Sequence, residues 1–261
     1  MAEDQNRNRY EGVIKALIFG VGVIAIVISA MVLMNEDDEL MTSASNKREL
    51  PIYCVSTNQP MIALTFDAAW GNEDTGKILE ILEKQGIKAT FFMTGGWVSD
   101  YPDDVKTIYE AGHELGNHSM HHYDMATLGT QEIKDELNEP GALVLELTGY
   151  EMKVFRPPYG SYNNQLITTA NECGYQTIQW DVDRLDWKDY GVDSIVSTVC
   201  NHAHLGNGSI ILCHNGAEYT AQALDTMITN LKEQGYQFVT VSELIYTENY
   251  YMDHEGRQHE K

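Results

Sequence analysis

Residues 61–93 read MIALTFDAAWGNEDTGKILEILEKQGIKATFFM. The uninterrupted apolar run from Met61 to Phe66, closed by Asp67, has the length and composition of a buried strand. Asp74 to Gln85 then sets Ile78, Leu79, Ile81 and Leu82 on one helical face and stops at Gly86, a residue that readily takes the left-handed conformation ending a helix. Lys88 to Met93 is the next strand. Working outward, the same alternation returns. Helices are expected over Pro102–Ala111, Gln131–Leu147, Asn164–Cys173, Asp193–Ala203 and Glu218–Glu233, with strands at Val154–Phe155, Tyr175–Trp180, Ser209–Cys213 and Gln237–Thr240. Pro140-Gly141 should kink or break the second of these helices. Repeated βα units imply an α/β fold with a parallel sheet closed, or nearly closed, into a barrel, and functional groups at the carboxyl ends of its strands. No internal repeat is visible, and one large domain over residues 59–247 accounts for the pattern.

Ahead of that domain, residues 16–34 carry no charge and no polar face, and about 20 such residues cross a bilayer as a helix. Ser29-Ala30-Met31 is a poor cleavage site, so an uncleaved signal anchor is expected rather than a removed signal peptide. Arg7, Arg9 and Lys15 precede the anchor and Lys47 and Arg48 follow it, a small bias that puts the tail of residues 1–15 in the cytoplasm and the domain outside, in the cell membrane as a single-pass protein. Residues 35–58 read as a polar stalk, and residues 248–261, with His254 and His259, as a disordered polar tail. The net charge of -22 argues against nucleic acid as a partner. Cys54, Cys173, Cys200 and Cys213 are too few in a domain of this size to imply a disulfide framework.

Chemistry-bearing residues gather at the predicted strand ends. Asp67 follows the first strand directly, where shelter from water would raise its pKa towards that of a useful general base; it could equally cap the next turn. His118-Ser119-Met120-His121-His122 contains three of the nine histidines, and two imidazoles four positions apart can face one ion, though surface clusters also arise without function. Arg156-Pro157-Pro158-Tyr159-Gly160 is a rigid turn after a strand, suited to an oxyanion hole or simply a loop. The run from Trp180 to Trp187 brings acids and aromatic rings to another strand end, and His214 closes Ile211-Leu212-Cys213. A histidine at one strand end is more often structural. Four such ends on one rim favour a site. Ser119 and Ser161 lie near these residues, but neither stands in the Gly-x-Ser-x-Gly turn of a serine hydrolase.

Thr65-Phe66-Asp67, His118-Ser119-x-x-His122, Arg156-x-Pro158-Tyr159, Asp183-x-x-Asp186-Trp187 and Leu212-x-His214 occur in an order that resembles the polysaccharide deacetylase family, the NodB-homology or carbohydrate esterase 4 domain. The resemblance runs from about Gln59 to Tyr246. It implies a distorted (β/α) barrel and metal-dependent removal of acetyl groups from N-acetylated amino-sugar polymers, peptidoglycan above all. His118 and His122 would hold a divalent ion, zinc by expectation, while His121 points elsewhere. Asp67 would be the base and His214 the acid. Asp186 would support His214, Asp183 would pair with Arg156, and the Tyr159 N–H would receive the oxyanion. Trp70, Pro158, Tyr159, Trp187 and Leu212 would contact the sugar. One departure is chemically serious: the acid that follows the base in this family is Ala68 here. Asp74 or Glu73 could substitute as third ligand, Asp67 could bind the ion itself, or the chain could bind cell-wall glycan without turning it over. His202, His204 and His113 get a bland interpretation, the last as a supporting or surface residue.

Overall fold

The computed structural model describes residues 48–183 and 191–261. The expected tail, the anchor and most of the stalk lie outside the described residues, as do Asp186 and Trp187. Among the described residues no helix is long and apolar enough to cross a membrane. Glu49–Lys261 forms one compact unit.

Its central strand is β2 (Met61–Ala68), with β1 (Cys54–Val55) before it. β3 (Thr90–Met93), β4 (Glu114–Asn117), β5 (Val154–Phe155) and β6 (Gln176–Thr177) follow along one side, while β8 (Ile210–His214) and β7 (Val182–Asp183) lie on the other. β9 (Gln237–Val239) pairs with the first residues of β2 and β8 with the later ones. Every pairing in this sheet is parallel. Among the described residues the order runs from β6 to β7 as an open path, with no pairing between those two strands. The outer strands β5, β6 and β7 have two residues each, too few for a continuous ladder.

A parallel sheet covered on both faces needs apolar residues on both, which is why β2 reads as an unbroken run rather than an alternation. Ile62, Leu64, Phe66 and Ala68 belong to the larger core cluster with the helices. Ala63 belongs to the second cluster, with Phe92, Val154 and Ile210. Thr65 and Asp67 share the face of Ala63, since successive strand residues point to opposite faces. The helix α1 (Thr75–Gln85) buries Ile78, Ile81 and Leu82 and ends at Gly86, with φ of 63°. α2 (Gly95–Asp100), α3 (Pro102–Glu110), α4 (Thr130–Thr148), α5 (Asn164–Glu172), α6 (Val192–Cys200), α7 (Thr220–Glu233) and the short α8 (Val241–Leu244) complete the layer.

Three expectations fail here, each for a non-local reason. α4 continues through Pro140. The turn is held from outside, because the Leu137 carbonyl accepts from Asn117 Nδ2 at 2.8 Å and from the Tyr175 hydroxyl at 3.3 Å. The stalk does not reach Asn58, since Ile52, Cys54 and Val55 are buried. The polar tail is folded. β10 (Tyr250–Met252) and β11 (Arg257–Glu260) form a second sheet in which β11 runs parallel to β1 and antiparallel to β10, with Gln258 fully buried. His259 donates to Asp253 Oδ2 at 2.9 Å and stacks on Tyr251.

Candidate active site

Asp67 and His214 are register partners on adjacent strands, so both side chains leave the sheet at the carboxyl ends of β2 and β8. Arg156, fully buried just after β5, crosses to β2 and donates from Nη1 to Asp67 Oδ1 at 2.6 Å and to Thr65 Oγ1 at 2.8 Å. Its Nη2 donates to the Gln179 carbonyl at 3.2 Å, and its guanidinium lies over the Phe92 ring, 4.1 Å from the centroid. Both terminal nitrogens of the guanidinium are thus taken up by Asp67, Thr65 and Gln179 while Nε finds no hydrogen-bond partner among the described residues, and no ion pair of Arg156 with Asp183 is found there. The expected pKa of Asp67 is also reversed. Burial alone pushes its carboxyl up, but the Arg156 charge, with His118 and His214 and the Arg156 hydrogen bond, outweighs burial and holds it below the usual range. Asp67 is therefore a carboxylate throughout the neutral range.

The histidine loop follows β4. His118 is buried and its Nδ1–H donates to the Arg156 carbonyl at 2.8 Å, which turns Nε2 towards Asp67 Oδ2, 3.6 Å away. Burial pushes the His118 imidazole down to about 4 despite Asp67, so at neutral pH its lone pair is free. The His122 ring stands 5.0 Å from that of His118, and burial lowers it as well. His121 points away and donates from Nδ1 to Glu136 Oε1 at 2.6 Å. Ser119 and His122 both take positive φ, 69° and 58°, and a left-handed non-glycine residue costs on the order of 1–3 kcal/mol. Asn117 Oδ1 accepts from the Ser119 N–H and Ser119 Oγ from the His122 N–H, which holds the loop in that shape.

These groups open into a cavity of about 760 Å³. Trp70, Tyr159, Asp183 and Leu212 line it. Pro158 does not. It is buried and Pro157 lines the wall instead, because Tyr159, at φ of 60°, turns the chain so that its own ring faces outward. Trp70 and Tyr159 are 63% and 71% exposed, and both set a ring edge against His122, at 4.9 and 4.7 Å. Trp70 is held by its neighbours: the Gly71 carbonyl accepts from Trp97 Nε1 at 2.7 Å, and a Cβ on Gly216 would fall 2.8 Å from the Trp70 carbonyl oxygen. Trp180, the first ring of the rim run, lines it too, and sequence reasoning missed the segment Asn215 to Glu218. The Asn215-Gly216 turn signal directly after His214 could have found that segment. Asn215 donates its N–H to the Asp67 carbonyl at 3.0 Å and its side-chain amide to Thr75 Oγ1 at 3.0 Å. His113 is neither surface nor support. It is buried at the far end of the sheet, accepting the Ala89 N–H on Nδ1.

Neutral imidazoles oriented through Nδ1–carbonyl hydrogen bonds are the usual form of metal-ligating histidine, and His118 meets that description, with His122 beside it. The pair fits a divalent ion as two of its ligands. The third is short. Ala68 is sealed in the helix-side core, and Asp74 and Glu73 are outside the cavity wall because Asp74 sits at the start of α1. Among the described residues no three His, Cys, Asp or Glu converge as a metal group.

Residues 55–178 match the polysaccharide deacetylase family. The peptidoglycan-N-acetylmuramic acid deacetylase PdaA of Bacillus subtilis is 36% identical over 202 residues, 74% of each chain. The chain belongs to the polysaccharide deacetylase family. Its α/β fold with a parallel sheet is the family's. The uncharacterized protein YlxY of Bacillus subtilis is 38% identical over 75% of this chain, which spans only 60% of that relative's length. A family pseudoenzyme from Bacillus anthracis superposes with a TM-score of 0.72 at 37% identity, covering 80% of this chain and 72% of that one. A mutant of it, described as having restored enzymatic activity, gives 0.71 at 42% identity over 74% and 70%.

Proposed function

We propose that this domain removes acetyl groups from N-acetylated amino sugars of a cell-wall glycan, most directly peptidoglycan, outside the cytoplasm. The observation that carries the proposal is the pairing of Asp67 with His214 across β2 and β8, above one cavity with His118 and His122. The similarity to PdaA, a peptidoglycan-N-acetylmuramic acid deacetylase, supports it.

Asp67, kept ionised by Arg156, takes a proton from the attacking water as its oxygen bonds to the acetyl carbon. The oxyanion that develops falls to the main-chain N–H of Tyr159, held by the Pro157-Pro158 turn. His214 gives a proton to the nitrogen as the C–N bond breaks, releasing acetate and an amine. Trp70 and Tyr159 offer apolar faces to the sugar, with Leu212 at the floor. Asp183 lines the same cavity, and the family resemblance would add Asp186 as support for His214 and Trp187 as a sugar contact, both outside the described residues. A divalent ion on His118 and His122, zinc by the donor type, supplies Lewis acidity to the carbonyl when bound. The charge-free run of residues 16–34 supports a single-pass anchor in the cell membrane.

Acetate release from peptidoglycan and from chito-oligosaccharides tests the reading, with zinc supplied. Asp67→Asn should lower it by roughly a thousandfold, as loss of a general base does. No acetate from any such glycan with wild-type protein would sink it. The second reading, a glycan-binding protein with weakened or lost turnover, is favoured by one observation, Ala68 in place of the acid. Glycan binding without acetate release or bound metal would establish it.

A further inference from the structure

We propose that the turn of α4 from Glu136 to Gly141 is the template that sets the His118 and His122 pair, with Glu136 as its positioning residue. The proposal rests on the assignment of those imidazoles to the reacting site.

Glu136 is only 7% exposed, and the hydrogen bonds of its carboxyl group go to the histidine loop rather than to its own helix. Oε2 accepts the main-chain N–H groups of Met120 and His121, both at 2.9 Å, and Oε1 accepts from the His121 ring. All three bonds fall between the two inward imidazoles, on a loop that bends left-handed at Ser119 and at His122. Bonds to a charged acceptor are roughly twice as strong as neutral ones. They act where this backbone would otherwise relax. His121 thereby gains a purpose, because its outward ring is the third tether rather than a spare ligand.

The rest of the turn serves the same loop. Pro140 has no N–H, so the Glu136 carbonyl receives no donor four residues on. The neighbouring Leu137 carbonyl accepts from Asn117 Nδ2, whose Oδ1 in turn accepts the Ser119 N–H at 2.9 Å. The Tyr175 hydroxyl reaches that same carbonyl past residue 141, where a Cβ would fall 2.6 Å from its oxygen. A side chain there would push the Tyr175 hydroxyl away from the Leu137 carbonyl. Pro140 and Gly141, which read in the sequence as a helix about to break, instead join Glu136 in a surface on which the two ends of the histidine loop are shaped.

The test uses the intact protein with Glu136→Gln, Glu136→Ala and Gly141→Ala. Glutamine keeps an oxygen that accepts both main-chain N–H groups; alanine keeps none. In E136A, kcat for acetate release should fall roughly ten- to a hundredfold, as a misplacement of about 1 Å does, with KM changed less than about twofold because Trp70 and Tyr159 stand on other loops. E136Q should stay within about threefold of wild type, since both loop bonds persist. In ring 1H–13C spectra, E136A and G141A should shift or double the His118 and His122 resonances and leave those of buried His113 in place. Unchanged His118 and His122 resonances in E136A overturn the proposal, as does an equal displacement of His113, which marks general loosening. If wild type releases no acetate at all, the deacetylase reading fails, and the histidine spectra still decide this one.

Discussion

The two ends of one sheet treat charge in opposite ways. At the amino end, His113 and Glu114 are adjacent and buried at the start of β4. Burial pushes the imidazole down to about 4, Lys88 adding to it, and pushes the carboxyl up even though Ser242, Thr90 and the Val241 N–H partly offset it. Both groups are driven towards their neutral forms. At the carboxyl end, Asp67 is just as buried, yet Arg156 keeps it charged, while His118 beside it stays neutral. Burial is common to both ends; a cation within hydrogen-bonding distance is what differs. The carboxyl end therefore holds a permanent proton acceptor and free imidazole lone pairs, and the amino end holds structure.

The comparison breaks most sharply at Arg156. Arg156→Met keeps the packing on Phe92 but strands Asp67 as a lone buried charge, which should cost about 3–5 kcal/mol in urea unfolding at pH 7. The double variant with Asp67→Asn should recover most of that loss, because a neutral amide needs no cation. A single variant less than about 1 kcal/mol below wild type would show that the pair does not govern the carboxyl end.

The amino end predicts an acid sensitivity of its own. Unfolded His113 titrates near its ordinary value and folded His113 near 4, so between those values the unfolded chain binds the extra proton. The contribution is complete above about pH 6.5 and is lost as pH falls to about 4, on the order of 3 kcal/mol. His113→Gln should flatten that part of the stability curve, measured by urea titrations at pH 7 and 4.5. An unaltered slope would remove His113 from the account.

What could be read ahead of the structure was local. The strand from Met61, the helix ended by Gly86 and the motifs that bring Asp67, His118, His122 and His214 to one cavity are patterns of near neighbours. What could not be read was set by distant partners. The Asp67 pKa was misjudged because its cation lies 89 residues away, on a turn whose side-chain directions no spacing rule supplies. Pro140 was misjudged because Asn117 and Tyr175 brace its turn. Residues 257–260, Arg-Gln-His-Glu, carry no apolar alternation, and only pairing with β1 and β10 makes them a strand. The histidine spacing pointed to His118 and His122 over His121, but not to the carboxylate of Glu136 that distinguishes them.

The smallest expected effect is the most discriminating about burial itself. Among the described residues no cation pairs with Glu114; its partners are the hydroxyls of Thr90 and Ser242 and the main chain of Ser242. A carboxyl raised in the folded state stabilises below its unfolded pKa and loses that contribution as pH climbs through the folded value. Glu114→Gln supplies a neutral side chain of the same shape, so it should shift stability at pH 7 by only about 1 kcal/mol, against several for Arg156→Met. It should also remove the decline on the alkaline side of the carboxylate range. A loss as large as that of Arg156→Met would mean that Glu114 is held charged after all, and that the two ends of the sheet do not differ in the way their partners imply.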